Sequence, residues 1–402
     1  MIRLDDKANC CGCGACVAKC PTKALTMQKD CCGFVYPKLD ESLCVHCNLC
    51  EKTCLYQSRP GFPEYKAVYA AAAGDCDLRE SASGGIFASI AGAILNRGGV
   101  VCGAVLSFEE GIHVQHTIIT KKEELLPLKG SKYVQSDICN CFSEIRSHLD
   151  SGTVVLFCGT PCQVTGLKGY LQKEYDSLFC LDLVCHGVPS EQLFQDYIRF
   201  IEKKNQFKVK HFSFRDKSKG WELHGRMETK TPSGQEETIY FPPEGSSYYQ
   251  LFLDGFIYRE NCYSCPYPGN GRPGDLTLGD YWGIEIVHPE LLCENGGTLE
   301  KDKGISALLV NTEKGVKLLE LCTGISLYKS DFEKASRYNK QFVAASALKP
   351  ERETVLSLYA KGYSELEKWY SRRLRLVRFK RRVRKIVPKD FKRIVKKLIK
   401  KN

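Results

Sequence analysis

The sequence predicts an α+β protein: a small cysteine-rich module, a larger mixed α/β domain, and a basic helical tail. Three observations predict it. Eight cysteines in two runs, Cys10, Cys13, Cys16, Cys20 and Cys44, Cys47, Cys50, Cys54, crowd residues 1–58. Between 66 and 345, short apolar strands alternate with segments of helical periodicity, the pattern of an α/β core. Residues 346–402 form the tail, and within it 372–402 hold sixteen Lys and Arg against the single Asp390.

At 402 residues the chain has room for two or three domains. Its hydrophobic and charged fractions, 43% and 26%, are those of an ordinary soluble protein. The net charge of +11 belongs to the tail and leaves the remainder mildly acidic. Twenty-three cysteines behind a start with no apolar leader point to a reducing, cytoplasmic setting. There thiolates serve metals rather than disulfides. No run reaches the ~18 apolar residues of a membrane span.

The first run reads C-x2-C-x2-C-x3-C and is closed by Pro21. Three cysteines at these intervals wrap a loop around one cluster, and the fourth reaches the neighbouring one, as in bacterial two-cluster ferredoxins. The predicted ligand sets are Cys10, Cys13, Cys16 and Cys54 for one 4Fe-4S cluster, and Cys44, Cys47, Cys50 and Cys20 for the other. Structural zinc favours two Cys pairs with a longer insert, which two four-Cys runs fit poorly. Gly12 and Gly14 suit a backbone curled closely around a cluster. Leu55 stands where a second proline is expected, and Cys11 fits no ligand slot and reads as a buried neighbour.

Residues 33–37 read as a short strand, and two prolines and a glycine in 58–63 mark a linker. Apolar strands follow at 66–73, 98–106, 153–159 and 179–185, with helices at 86–95 and 163–170. Residues 205–245 look antiparallel, with turns at 218–220 and 232–234.

Clusters move single electrons, and flavin is the commonest adapter to two-electron chemistry. Ser81-Ala-Ser-Gly-Gly85, opening a helix, offers a phosphate cradle with Ser83 as an extra donor. Plain turn chemistry accounts for the same glycines. No G-x-G-x-x-G follows a strand, so an ordinary dinucleotide site is not supported. Cys162, Cys185, Cys262 and Cys265 fall at strand ends or in turns and form a further four-Cys set. It holds a third cluster, a zinc ion, or no metal, its members then being small buried hydrophobes.

Six ordered phrases carry a resemblance: Ser83-Gly-Gly85, Gly130-Ser-Lys-Tyr133, Phe157-Cys-Gly-Thr-Pro-Cys-Gln163, Asp182-Leu-Val-Cys-His-Gly187, Cys262-x2-Cys265 and Gly274-Asp-Leu-Thr-Leu-Gly-Asp-Tyr-Trp-Gly283. Over about residues 66–325 the chain resembles the beta subunit of coenzyme F-420 hydrogenases and dehydrogenases. The resemblance implies an FAD-binding iron–sulfur oxidoreductase acting on a deazaflavin coenzyme, or a relative with another acceptor. By position, Ser83, Gly84, Gly85, Lys132, Tyr133, Gly159 and Thr160 become flavin-site candidates. The set Cys162, Cys185, Cys262 and Cys265 gains support as ligands of a third cluster. Lys132 can place positive charge beside the flavin, and His186 can relay a proton or hydrogen-bond a sulfide. Asp275 and Asp280 can bind ribose or cap turns, with turns favoured, and Trp221 reads as core or lid packing rather than a stacking platform.

The expected partners are a redox protein or a small-molecule electron carrier. Rival readings are a non-catalytic electron-transfer subunit and a membrane-associated iron–sulfur scaffold. In the tail, Phe391, Ile394, Val395, Leu398 and Ile399 share one helix face, and Leu376, Phe379, Val383, Ile386 and Val387 sketch another. Apolar faces with cationic flanks suit an anionic membrane surface, so a peripheral position at the inner face of the membrane is expected. Nucleic acid is disfavoured, because no reader motif accompanies the charge.

Overall fold

The computed structural model describes residues 6–78 and 80–386, with side chains as far as 375. In the cysteine-rich module β1 (Leu25–Lys29) pairs antiparallel with β2 (Val35–Leu39), Leu25 opposite Leu39. Asp30 closes the turn between them by accepting from the N–H groups of Cys32 and Phe34. Two short helices, Ala15–Ala18 and Leu49–Thr53, each carry the third cysteine of a run.

The body contributes β3 (Ala67–Ala73), β4 (Val100–Ser107), β5 (His113–Ile119), β6 (Val155–Gly159) and β7 (Leu178–Leu183). Then come β8 (Lys208–Ser213), β9 (Gly225–Lys230), β10 (Glu236–Phe241), β11 (Leu276–Asp280), β12 (Ser306–Val310) and β13 (Ile325–Ser330). Eight of these make one mixed sheet in the order β13-β3-β12-β11-β7-β6-β4-β5. Its centre, β4-β6-β7-β11, is parallel, and both flanks are antiparallel.

The central strands are apolar throughout because both of their faces are covered. Helix Ile86–Leu95 sets Ile86, Ile90 and Ile94 among Leu156, Leu181 and Leu308 on one face. Helices Cys141–Asp150 and Pro161–Leu171 set Phe142, Ile145, Val164 and Leu167 among Val155 and Phe157 on the other. Strand β3 is antiparallel to β12, which is antiparallel to β11, so β3 ends at the same sheet edge as the parallel strands. In open α/β sheets that carboxyl edge is where ligands bind.

The segment expected to be antiparallel is so: β10-β9-β8 form a small separate sheet. It shares an aromatic core with helices Glu191–Asn205 and Ser247–Leu253 through Phe194, Phe212, Phe214 and Tyr248. Helices Glu351–Tyr359 and Tyr363–Ile386 insert Val355, Tyr359, Tyr363, Leu366 and Tyr370 into the same core, so the packed body runs past residue 345. The apolar faces read over Leu376–Val387 and Phe391–Ile399 lie outside the described side chains. Among the described residues no helix is long and apolar enough to cross a membrane.

The cysteine-rich module docks on helix Pro161–Leu171. A methyl group on Gly166 would stand 2.8 Å from Cys13 Sγ, and one on Gly169 would stand 2.2 Å from Thr53 O. Only residues without a side chain permit that approach. Ser190 adds a bond across the junction, its Oγ donating to Cys32 O at 2.6 Å.

Candidate functional site

The two cysteine runs share one backbone design. Gly12 and Gly14 have φ of 69° and 76°, and the equivalent positions of the second run, His46 and Asn48, have φ of 52° and 58°. Left-handed backbone at a non-glycine residue costs roughly 1–3 kcal/mol and clusters at functional sites. Both loops thus curl about their second cysteine.

The structure brings the first predicted set together. Burial pushes the Cys16 thiol well up, and Cys13, Cys10 and Cys54 each add to that push. Burial likewise raises Cys54 to about 11, with Cys13 and Cys10 among the contributors. The second predicted set, Cys20, Cys44, Cys47 and Cys50, lines one small cavity between the second loop and β1. Cys47 is exposed, and beside it Leu43 and Val45 are 50% and 63% exposed, so this site lies at the protein surface.

The third set also converges. Burial raises Cys185 to about 12, with Cys162 and Cys265 adding to it, and Cys262 is raised by burial and by Cys185, Cys162 and Cys265. Buried Cys11 packs in one cluster with Cys13 of the first set and Cys162 of the third, and both raise its pKa. Cys11 holds the Cys162 thiol below its ordinary range, helped by Thr160 Oγ1 at 3.2 Å. Among the described residues no group of three or more His, Cys, Asp or Glu converges as for a single metal ion. A four-iron cluster takes one thiolate per iron, so its ligands stand apart around it.

A cavity of about 270 Å³ opens at the carboxyl edge of the sheet. It is far larger than the ~15 Å³ a single water needs. Its wall includes Ser83, Gly85, Lys132, Tyr133, Gly159, Thr160 and His186, together with Cys162, Cys185, Cys262 and Cys11. The N-terminus of helix Ile86–Leu95, entered through Gly85 at φ 76°, also faces it. Gly84 does not line it: its N–H donates to Ser306 Oγ at 3.0 Å, and a methyl there would meet Ala71 O at 2.4 Å. Ser83 lines it, but its hydroxyl is committed to Ile305 O at 3.0 Å. The anion-attracting groups left at this end are backbone N–H groups and the helix dipole.

Lys132 is no solvated loop lysine. Its Nζ donates to Pro127 O at 2.8 Å and Lys129 O at 2.7 Å, and burial pushes its pKa down to about 7. His186 is driven down to about 4 by burial, against the pull of Asp280, so it stays neutral near pH 7. Tyr133 lies flat on Phe252, ring centroids 4.2 Å apart.

His116 in the wall, and Arg215 and Lys217 behind it, carry no sequence signal. His116 donates from Nε2 to Cys158 O at 3.0 Å, because a carbonyl can only accept. Arg215 is ion-paired with Asp280 at 2.7 Å and donates to Ala82 O, and Lys217 donates to Leu78 O, Ser83 O and Lys303 O. These two cations pin the Ser81–Gly85 turn. Asp280 is therefore an ion-pair partner at the cavity, while Asp275 caps Cys180 N and Thr312 Oγ1 as a structural acceptor. Trp221 is buried and stacked on Trp282 at 4.7 Å, in the core as expected.

Two family models match the chain, one for the N-terminal and one for the C-terminal part of the coenzyme F420 hydrogenase/dehydrogenase beta subunit. The first covers residues 68–142 and the second residues 152–327. The F subunit of F(420)H(2) dehydrogenase from Methanosarcina mazei is 24% identical over 208 residues, which are 47% of this chain and 58% of that protein. The chain thus spans little more than half of that relative's length. A xenon-derivatised structure of the F420-reducing NiFe hydrogenase complex from Methanosarcina barkeri superposes with a TM-score of 0.44 at 15% identity, over 75% of this chain and 95% of that one. Together the two family models span most of the chain, including most of the cavity wall and the third cysteine set. The chain belongs to the coenzyme F420 hydrogenase/dehydrogenase beta-subunit family.

Proposed function

We propose that this chain is an oxidoreductase that holds two 4Fe-4S clusters in residues 1–58, a third on Cys162, Cys185, Cys262 and Cys265, and FAD in the adjoining cavity. The observation that carries the reading is continuity. Cys11 packs with Cys13 of the first set and Cys162 of the third, and Cys162 lines the cavity with the flavin-site candidates. When bound, the flavin exchanges electrons singly with clusters and in pairs with a substrate.

The chain's residues supply the rest. The 86–95 helix N-terminus attracts phosphate. Lys132, poised near pH 7, holds or gives up a proton at the cavity wall. His186, neutral, offers a hydrogen bond rather than a charge. Tyr133 and Phe252 form an aromatic wall. A cluster held by Cys20, Cys44, Cys47 and Cys50 would lie at the surface, where exposed Leu43 and Val45 suit a redox partner protein. The two-electron substrate is a deazaflavin coenzyme or another small molecule.

The test is anaerobic reconstitution of the full chain, with iron, sulfide and flavin measured together. Metal without flavin would move the reading to a carrier or scaffold. Turnover of a reduced deazaflavin, NAD(P)H or reduced ferredoxin would separate an enzyme from a carrier. The tail's contact with anionic membrane is proposed from the sequence alone. Its test is co-sedimentation with anionic vesicles that is lost when residues 376–402 are removed.

A further inference from the structure

Arg259 is 0% exposed, and it leaves the body three residues before Cys262 to end inside the cysteine-rich module. Its Nε donates to Cys10 O at 2.9 Å. One terminal nitrogen donates to Val35 O at 2.7 Å and reaches Cys10 Sγ at 3.8 Å, and the other donates to Gln135 Oε1 at 3.3 Å. The guanidinium lies 4.0 Å over the Tyr36 ring, and a methyl on Gly12 would stand 2.8 Å from its carbon. None of these partners is a carboxylate. The two acids that act on neighbouring Tyr36, Asp30 and Glu260, are already ion-paired with Lys7 and Arg352.

A buried guanidinium always carries its charge, and leaving it without an anion is costly. Here the group it touches is a cysteine of the first predicted ligand set. We propose that Arg259 is the built-in counter-charge of the cluster held by Cys10, Cys13, Cys16 and Cys54, and that it raises that cluster's reduction potential. Four thiolates leave such a cluster anionic, and reduction adds one more negative charge. A fixed cation at the Cys10 sulfur stabilises the reduced form more than the oxidised one. Gln135, which bonds both Arg259 and Cys11 O and lines the flavin-site cavity, holds the guanidinium in place. The inference rests on the iron–sulfur reading above.

The test uses the full chain, reconstituted anaerobically with iron and sulfide and titrated redox-wise by electron paramagnetic resonance. In Arg259→Gln, one cluster's potential should fall by at least a tenfold loss in the ratio of reduced to oxidised form, about 59 mV for one electron. The other signals should stay in place. Arg259→Lys keeps the charge and should recover most of the shift. Gln135→Glu is isosteric and sets a carboxylate against the guanidinium, so it should lower the same potential even if Arg259→Gln does not fold. Wild-type iron content with an unmoved potential in Gln135→Glu would overturn the proposal, as would Arg259→Lys shifting as far as Arg259→Gln. A wild-type chain that takes up no iron would overturn the iron–sulfur reading itself.

Discussion

The same methyl group, added to two helices, should change stability in opposite directions. In an unconstrained helix interior, Gly→Ala gains about 0.8–1 kcal/mol. At Gly92, in helix Ile86–Leu95, the nearest atom to the new methyl is Lys122 Cε at 3.7 Å, so Gly92→Ala should take most of that gain. At Gly169 the methyl would stand 2.2 Å from Thr53 O and 3.2 Å from Leu55 Cγ, both in the cysteine-rich module. Ordinary contacts lie at roughly 3.5–4 Å. Module and helix must therefore part by more than ~1 Å, or the helix must bend. Overpacking costs about 1–3 kcal/mol, and a clash with backbone cannot be relieved by turning a side chain. Gly169→Ala should lose ~2 kcal/mol net of the helix gain. The assay is the denaturant midpoint of both variants and wild type, loaded identically without oxygen, since bound clusters break two-state behaviour. Limited proteolysis within the 58–63 linker reports undocking. A Gly169→Ala protein as stable as wild type would refute the docking geometry.

Other outcomes follow from the cavity. Lys132 has its pKa pushed down to about 7, below the ~10.4 of an unfolded lysine, so its charge opposes folding. Apoprotein stability should rise between pH 7 and ~10 by an amount that Lys132→Met abolishes. Flavin retention should run the other way, weakening above pH 7 as Lys132 loses its charge, and Lys132→Met should flatten that dependence too. Arg215→Met strands Asp280 and should cost on the order of 3 kcal/mol in thermal unfolding, while adding Asp280→Leu should recover most of it. Cys262→Ser should remove about four irons per chain and leave the remaining clusters' signals, as counted by iron analysis and spectroscopy.

What the sequence made legible was local. The two cysteine runs are legible because each is contained within about a dozen residues. Helix Ile86–Leu95 matches its periodic segment end for end, and helix Pro161–Leu171 starts two residues before the predicted one because proline suits a first turn. Strand β5 went unread: its inward positions include His116 beside Val114, and a buried histidine breaks the apolar alternation. Strand β13 is a half-exposed edge, and β12 a five-residue apolar run that fits strand or helix equally.

Long-range matters were not legible. Nothing near Arg259 in the chain announces that it enters a loop 249 residues away, and Arg215 reads as one more surface cation until Asp280 is found beside it. Gly166 and Gly169 look like weak helix positions until Cys13 and Thr53 are placed against them. The Ser81–Gly85 turn before a helix was legible in position and not in detail, since Ser83 spends its hydroxyl on Ile305 and Gly84 packs against β3. The aromatic positions Tyr359, Tyr363 and Tyr370, past residue 345, pack into the body, which no local pattern announced.

The central claim is that three sets of four cysteines each hold a cluster along a line ending at a flavin cavity. Metal and flavin counting on the full chain, reconstituted without oxygen, tests it most directly. About twelve irons, with matching sulfide, are expected per flavin and per chain. Zinc in place of iron, or a full iron complement with no flavin bound, would contradict it.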